Sequence, residues 1–461
     1  MNPAPQTAED YRRDLGLLEA TSIVIGRIIG SGIFRTPGPI MALVMSTSLF
    51  GLVWVLGGIV TIFGAVIYAE LVAMMPRSGG PYVYLHEAYP PIWSFLRGWA
   101  MFFVSETGAI AAVALVFAEY FNAFWTLATG TAISHLQVIL LALATIWLLT
   151  IINLFGVLLS GMVQNIFGFA KILAIGLLIG FAVTSGKGSI SHFTTPLWPE
   201  TWSWETLLAV GAALRYSFFA FSGWEGSTYV AEEVKKPSRN LPLALLLGIT
   251  GVMILYVCAN GAYIYLLPVE VISTSKQVAS DAMRVAMGSI GGLFISAAVM
   301  TNTFGNVSTQ ILVKARTWQA MSRDGLFFSA LKKTHPEHRT PNHALVTQAL
   351  WASVLLLVAG MAANTYERII DFFSATGTIF NIMTFVSIAV LRKKYPDLHR
   401  PYRAWLYPFS LWVIVGIYVA FFILTLITAF IPSLMGILLT STGLIYYFLV
   451  IKKRFTEDGT H

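Results

Sequence analysis

Runs of about 20 apolar residues recur along this chain from residue 17 to residue 452. At 1.5 Å per residue, each is long enough to cross the roughly 30 Å hydrocarbon core of a bilayer as a helix. A water-soluble chain would carry about a quarter charged residues to cover its surface. This one is 11% charged and 56% hydrophobic, with a mean hydropathy of +0.73. The runs therefore predict an all-α polytopic membrane protein.

Twelve spans are expected, at roughly 17–44, 48–75, 93–121, 133–156, 160–184, 207–234, 241–267, 288–320, 343–362, 367–391, 405–430 and 433–452. The connections alternate in charge. One set holds Arg12, Arg13, Arg77, Arg97, Lys235, Lys236, Arg239, Arg323, Lys332, Lys333, Arg339, Arg392, Lys393, Lys394, Arg400, Arg403, Lys452, Lys453 and Arg454. The other holds Lys187, Lys276, Arg284 and Arg368, with Arg35 at its margin. Twelve spans put the whole basic set on one side, which predicts cytoplasmic N- and C-termini. The net charge of +7 is thus a topological bias and not a nucleic-acid patch. The polar start, "MNPAPQTAEDYRRDLG", has no signal-peptide core and is expected to be retained. Cys258, the single cysteine, excludes an intrachain disulfide and is expected to be a small buried hydrophobe. The segment "PVEVISTSKQVASDAMRVA" is helix-compatible and suits a cap on the external mouth.

Within the first apolar run stands "GRIIGSGIFRTPGP", residues 26–39. A helix in hydrocarbon satisfies its own backbone, whereas a break frees amides and carbonyls at several kcal/mol each. Such a break survives inside protein or beside a watery cavity, where its freed amides and carbonyls match the carboxylate and ammonium of an amino acid. A packing glycine cluster is the plainer reading. A second break, Ser222-Gly223 and Gly226-Ser227, interrupts the sixth span. Breaks five spans apart favour two inverted repeats with a site at the midplane.

These residues resemble a family. "IIGSGIF", "YAELVAMMPRSGGPYVY", "WAMFFVSETGAIAAVALVFAEYF", "VQNIFGFAKILA", "FFAFSGWEGSTYVAEEVKKPSRNLP" and "AMSRDGLFFSALKKTHPEHRTP" are similar to the amino acid–polyamine–organocation superfamily, nearest to the L-type amino acid transporters. The resemblance implies a five-plus-five inverted repeat, the superfold that serves as the general example of this architecture. Its halves would be residues 1–184 and 185–391, with residues 392–461 as an addition. It implies that amides around Gly30, Ser31 and Gly32 hold a substrate carboxylate, with the Ser31 hydroxyl as an extra donor and Ile33 among the substrate-binding residues. Carbonyls near Ile28, Phe219 and Ser222 would take the ammonium, Gly223 would also bind substrate, Phe219 would close over the substrate as a gate, and Phe221 would line the pocket. Ala109, Asn306, Gln310 and Ser374 are the other candidates for the side-chain pocket. Gly32→Leu is accordingly expected to fill the carboxylate's place.

Lys171 stands about eleven residues into the fifth span, near mid-depth, and must find carbonyls or a carboxylate or lose its proton. The resemblance implies a built-in cation in place of sodium. Glu225, beside the second break, departs from the L-type pattern and leaves proton coupling open. Arg27 and Glu106 are a candidate buried pair, and Arg215 a candidate external anchor. Glu70, Glu232, Glu233 and Arg239 suit an inner gate of salt bridges. Neither "HEAYP" around His86 nor "HPEHR" supplies a metal-ligand set, so no metal or cofactor is expected.

The function expected is sodium-independent exchange of neutral L-amino acids, with a proton-coupled symporter as the alternative. A membrane enzyme would need paired carboxylates, a metal cluster or an activated nucleophile, and no such constellation stands out. An amino acid sensor would need a signalling domain, and a channel a repeated filter sequence. The segment "NAFWTLATGTAISHLQ" lacks the cysteine through which L-type chains bond a heavy chain, so no disulfide-linked partner is expected. The reading is of a carrier in a bacterial inner membrane.

Overall fold

The computed structural model describes residues 14–77, 80–155, 158–199, 201–335, 340–362 and 364–452, without the side chains of residues 158–170 and Val230. Its helices are α1 Leu17–Ile28, α2 Gly32–Arg35, α3 Pro37–Val44, α4 Thr47–Met74, α5 Pro81–Ala88, α6 Pro91–Ala100, α7 Glu106–Thr129, α8 His135–Leu154 and α9 Leu158–Thr184. After these come α10 Trp204–Ala220, α11 Pro237–Leu266, α12 Val269–Thr274, α13 Val278–Arg323, α14 Asn342–Gly360, α15 Thr365–Lys394, α16 Phe409–Thr428 and α17 Phe430–Tyr446. Among the described residues there is no β-strand, only one isolated bridge, Leu15 to Val234.

Local chemistry sets the helix ends. Ser46 accepts from the Leu49 amide at the start of α4, and Ser134 with Gln137 forms a reciprocal cap on α8. Pro81, Pro91 and Pro237 occupy first helical positions, where no amide bond is lost. Gly130 closes α7 at φ +78°, a left-handed geometry that glycine adopts without cost. Between α6 and α7, Met101–Ser105 is a π-turn, and such insertions tend to sit at functional positions.

Eleven helical stretches among the described residues are long and apolar enough to cross a membrane. The expected fifth span is the 27-residue α9, whose part with described side chains, Lys171–Thr184, is apolar but shorter than a crossing. The protein is therefore an all-helical, multi-pass membrane protein. The expected boundaries agree with the helices within a few residues, except that α7 runs eight residues past 121, and that α13 begins ten residues before 288 and bends at Gly288, φ +71°. The cap segment is accordingly helical, and α12 packs on α3.

Four residues are placed differently from the sequence reading. Cys258 is exposed, because it lies on the same outward face of α11 as Ile254 and Val257. Arg35 and Arg97, assigned to connections, are 2% and 8% exposed, because each lies inside a helix that packs in the bundle. Arg215 is buried rather than an external anchor, since it bonds Asp371 at 2.9 Å and the Thr428 hydroxyl. Arg12, Arg13, Arg339, Lys453, Arg454, the fourth connection at Gly156 and most of "HPEHR" lie outside the described residues.

Candidate functional site

The first span breaks where the glycines and serine predict. α1 ends at Ile28, Ile29 takes extended ψ of 93°, and the helix restarts at Gly32 behind Ser31. Among the described residues, the amides of Gly30, Ser31, Gly32 and Ile33 have no backbone acceptor. The loss is inherent in restarting a helix, whose first amides have no carbonyl behind them. Gly30 faces α13: the Asn302 side-chain amide donates to its carbonyl at 3.4 Å, and a Cβ there would stand 2.7 Å from Nδ2 of Asn306. Gln310 in turn donates to Asn306 at 2.7 Å.

The sixth span breaks beside it. α10 ends at Ala220, Gly223 turns at φ +88°, and Trp224–Glu233 continues as a 3₁₀ helix. That φ favours glycine, and a Cβ there would also stand 2.9 Å from the Arg27 carbonyl. One side chain spans both breaks: the Tyr256 hydroxyl lies 3.1 Å from the Ile28 carbonyl and 3.2 Å from that of Ala220. Phe221 packs against Trp54 and Tyr256 and is 1% exposed, so it props the turn from behind. Ser222, by contrast, is exposed in mid-span. Phe219 is half-buried against Tyr366 and Phe373, with ring centroids at 6.0 and 5.7 Å. Ala109 on α7 and Ser374 on α15 are half-buried, and the Ser374 hydroxyl is already given to the Ile370 carbonyl.

Gly32 is a correction of reason. A Cβ there would stand 2.5 Å from Cα of Ala220 and 2.8 Å from its Cβ, so the position is where α2 and α10 meet backbone to backbone. A side chain there would part the helices rather than fill a carboxylate pocket.

Lys171 finds the carbonyl its depth demanded. Its Nζ donates to the Gly26 carbonyl at 3.2 Å, with the residue 9% exposed. The break turns the Gly30 amide away, so that carbonyl is one of the orphans at the end of α1. A cation is favoured there by the dipole as well.

The Arg27–Glu106 pair is not formed. Glu106 instead bonds Lys314 of α13 at 2.5 Å, and Arg27 lies over the Tyr229 ring, its guanidinium carbon 5.7 Å from the centroid. The cause is Gly226, whose missing side chain leaves the space that the Arg27 stem fills. Glu225 is half-buried and within electrostatic reach of Lys314.

Two further ion clusters tie distant helices together. Arg35 bonds Glu119 at 2.6 Å and Glu367 at 3.0 Å and covers the Tyr366 ring, tying α2 to α7 and α15. In the second cluster, the fully buried Glu70 accepts a two-pronged bond from Arg392 at 2.8 and 2.7 Å and a bond from the Ala404 amide at 2.6 Å, with Arg400 at 3.7 Å. Glu70 thus belongs to a salt-bridge cluster as expected, although its partners are Arg392 and Arg400 and not Arg239. The Glu233 carbonyl accepts from Leu15, which joins the start of α1 to the end of the 3₁₀ segment. Among the described residues no group of three His, Cys, Asp or Glu could hold a metal, and His86 stacks on Tyr82. Sequence reasoning missed Lys314, Glu119, Glu367 and Asp371. The available signal was a charge inside an apolar run, which in a membrane is costly without a partner.

The sequence profile of the family described as amino acid permease matches residues 15–452. The chain is 31% identical to the serine/threonine exchanger SteT of Bacillus subtilis over 450 residues, covering 96% of this chain and 98% of that one. It is 30% identical to the mouse b(0,+)-type amino acid transporter 1, covering 96% and 89% of the two chains. Human Asc-type amino acid transporter 1 is also 30% identical, with 98% and 86% covered.

Proposed function

The chain belongs to the amino acid permease family, and from that premise we propose that it is a sodium-independent exchanger of small or medium neutral L-amino acids. It is a transporter and not an enzyme, by its family and its relatives. On this reading twelve spans form two inverted repeats, residues 1–184 and 185–391, followed by residues 392–461, with both termini in the cytoplasm of a bacterium. The observation that carries the proposal is Lys171 on the Gly26 carbonyl. A fixed ammonium occupies the end of α1, where a bound cation would otherwise neutralise the orphan carbonyls.

The substrate carboxylate would take the free amides of Gly30, Ser31, Gly32 and Ile33, and its ammonium the carbonyls beside Ile28, Phe219, Ser222 and Gly223. Phe219 would gate the site. Asn306, Gln310, Ala109 and Ser374 would bound the side chain, a mostly neutral set that favours a neutral substrate. Phe221, packed behind the turn, would act through Tyr256 rather than by touching substrate. The relatives named as an exchanger and as amino acid transporters are in keeping with this. Cys258 lies within α11, away from the connection between the third and fourth spans, so no disulfide-linked partner is proposed. A proton-coupled symporter is the second reading, favoured by the half-buried Glu225 close to Lys314.

Proteoliposomes decide between them. Uptake of a radiolabelled neutral amino acid should require amino acid inside and ignore sodium and proton gradients. Accumulation into empty vesicles under an inward proton gradient would replace exchange by symport. Lys171→Met should lower exchange by about 10–100-fold, the equivalent of one charge-assisted hydrogen bond of roughly 1.5–3 kcal/mol. Exchange at the wild-type rate in that variant would remove the fixed-cation role.

A further inference from the structure

The stretch from Arg392 to Trp412 has the chemistry of a membrane headgroup site. It begins with three consecutive cations at the end of α15 and finishes with aromatic and apolar residues at the start of α16. The connection is fixed in shape. Glu70 gathers Arg392, Arg400 and the Ala404 amide onto one buried carboxylate. Arg400 also donates to the carbonyls of Tyr395, Pro396 and Leu398, and the Arg392 guanidinium lies 3.6 Å from the Tyr407 ring centroid.

What this frame holds outward is apolar. Trp405, Leu406, Phe409 and Trp412 are 59%, 74%, 67% and 61% exposed. Leu406 stands at φ +55°, a region that costs a side-chain-bearing residue energy and persists when its surroundings enforce it. Phe409 and Trp412 are three apart and share the face of α16 that continues into the bilayer. Exposed tryptophans beside a spanning helix end are characteristic of the headgroup level.

Two exposed cations, Lys393 and Arg403, have no partner among the described residues, unlike Arg392, Lys394 and Arg400. Each is the sequence neighbour of a group bonded to Glu70, so they flank the same clamp. The positive-inside bias accounts for cations near span ends. It does not account for a fixed turn that displays Trp405 and Leu406 directly after Arg403. Cations beside exposed aromatics at the headgroup level match a phosphodiester with net negative charge.

We propose that the Lys393–Trp412 turn is a binding site for the headgroup of an anionic phospholipid, with Lys393 and Arg403 on the phosphate and Trp405 and Leu406 in the interfacial layer. A zwitterionic headgroup is a weaker ligand, because its own ammonium offsets the phosphate.

The test is retention of phosphatidylglycerol against phosphatidylcholine of matched chains on the full-length protein purified in detergent, counted by native mass spectrometry. Two surface cations predict a preference of about thirtyfold for phosphatidylglycerol, from roughly fivefold each. Lys393→Gln with Arg403→Gln should bring the two lipids to near parity, while Lys235→Gln, an exposed cation in another connection, should leave the preference unchanged. The variants lie on the surface, and a single peak in size-exclusion chromatography confirms that they fold. Equal retention of both lipids by the wild type would overturn the site and leave a protein partner as the occupant of the turn. A loss as large in Lys235→Gln would reduce it to diffuse attraction by the whole basic face.

Discussion

Gly32→Leu should reach the membrane in normal amount and carry no amino acid, with uptake below a hundredth of the wild-type rate. The reason is a backbone collision. A first side-chain atom at position 32 stands 2.5 Å from Cα of Ala220, and no rotamer relieves a contact made at Cβ. Overpacking a core costs about 1–3 kcal/mol where side chains can yield. Here α2 and α10 themselves must separate, and with them the two breaks that define the site. Even Gly32→Ala should show the loss in milder form. Gly251→Leu is the control, because a Cβ there meets nothing within 4 Å. Radiolabelled uptake normalised to protein in the membrane fraction measures the effect. Uptake by Gly32→Leu within twofold of the wild type would mean that the two broken helices do not meet there.

The second large effect concerns the buried pair between α7 and α13. Lys314→Met leaves Glu106 without its partner, and Glu106→Gln leaves Lys314 facing Arg27 with less to neutralise it. Removing one member of a buried pair costs about 3–5 kcal/mol, whereas removing both can be nearly neutral. Each single variant should therefore unfold at a clearly lower temperature in detergent and lose at least a hundredfold in uptake. The double variant should regain most of the thermal stability. A double-variant loss equal to the sum of the single losses would show that the pair contributes no coupling. Glu225 supplies a further distinction. If it shares the charge of Lys314, Glu225→Gln should deepen the defect of Glu106→Gln and leave that of Lys314→Met unchanged.

Much of the scaffold was legible because hydropathy in a membrane protein is a strong, local signal. The ends of α4, α8, α11 and α15 fell within a few residues of expectation from apolar length alone. The two breaks were legible for the same reason, since glycine and serine in mid-span contradict the pattern around them. Side-chain partnerships were not. Arg27 and Glu106 are a plausible pair by depth, but which of two cations reaches Glu106 depends on Gly226 opening a space for the Arg27 stem across a helix boundary. Arg35 was visible in "GIFRTPG", yet its acceptors, Glu119 and Glu367, lie 84 and 332 residues away. Lys171 was the exception. Its depth required an acceptor, and the break supplied an orphan carbonyl in a helix already identified.

The Tyr256 hydroxyl, set between the Ile28 and Ala220 carbonyls, has a stoichiometric consequence. A hydroxyl carries one proton, so at any instant it can serve one of those two oxygens fully. An ammonium arrives with three. On the exchange reading, the vacant carrier is short of hydrogen at the junction of its two broken helices, and the loaded carrier is complete. A molecule in that position has a reason to wait for cargo before it turns over: an empty return would carry the deficit through the dry middle of the membrane.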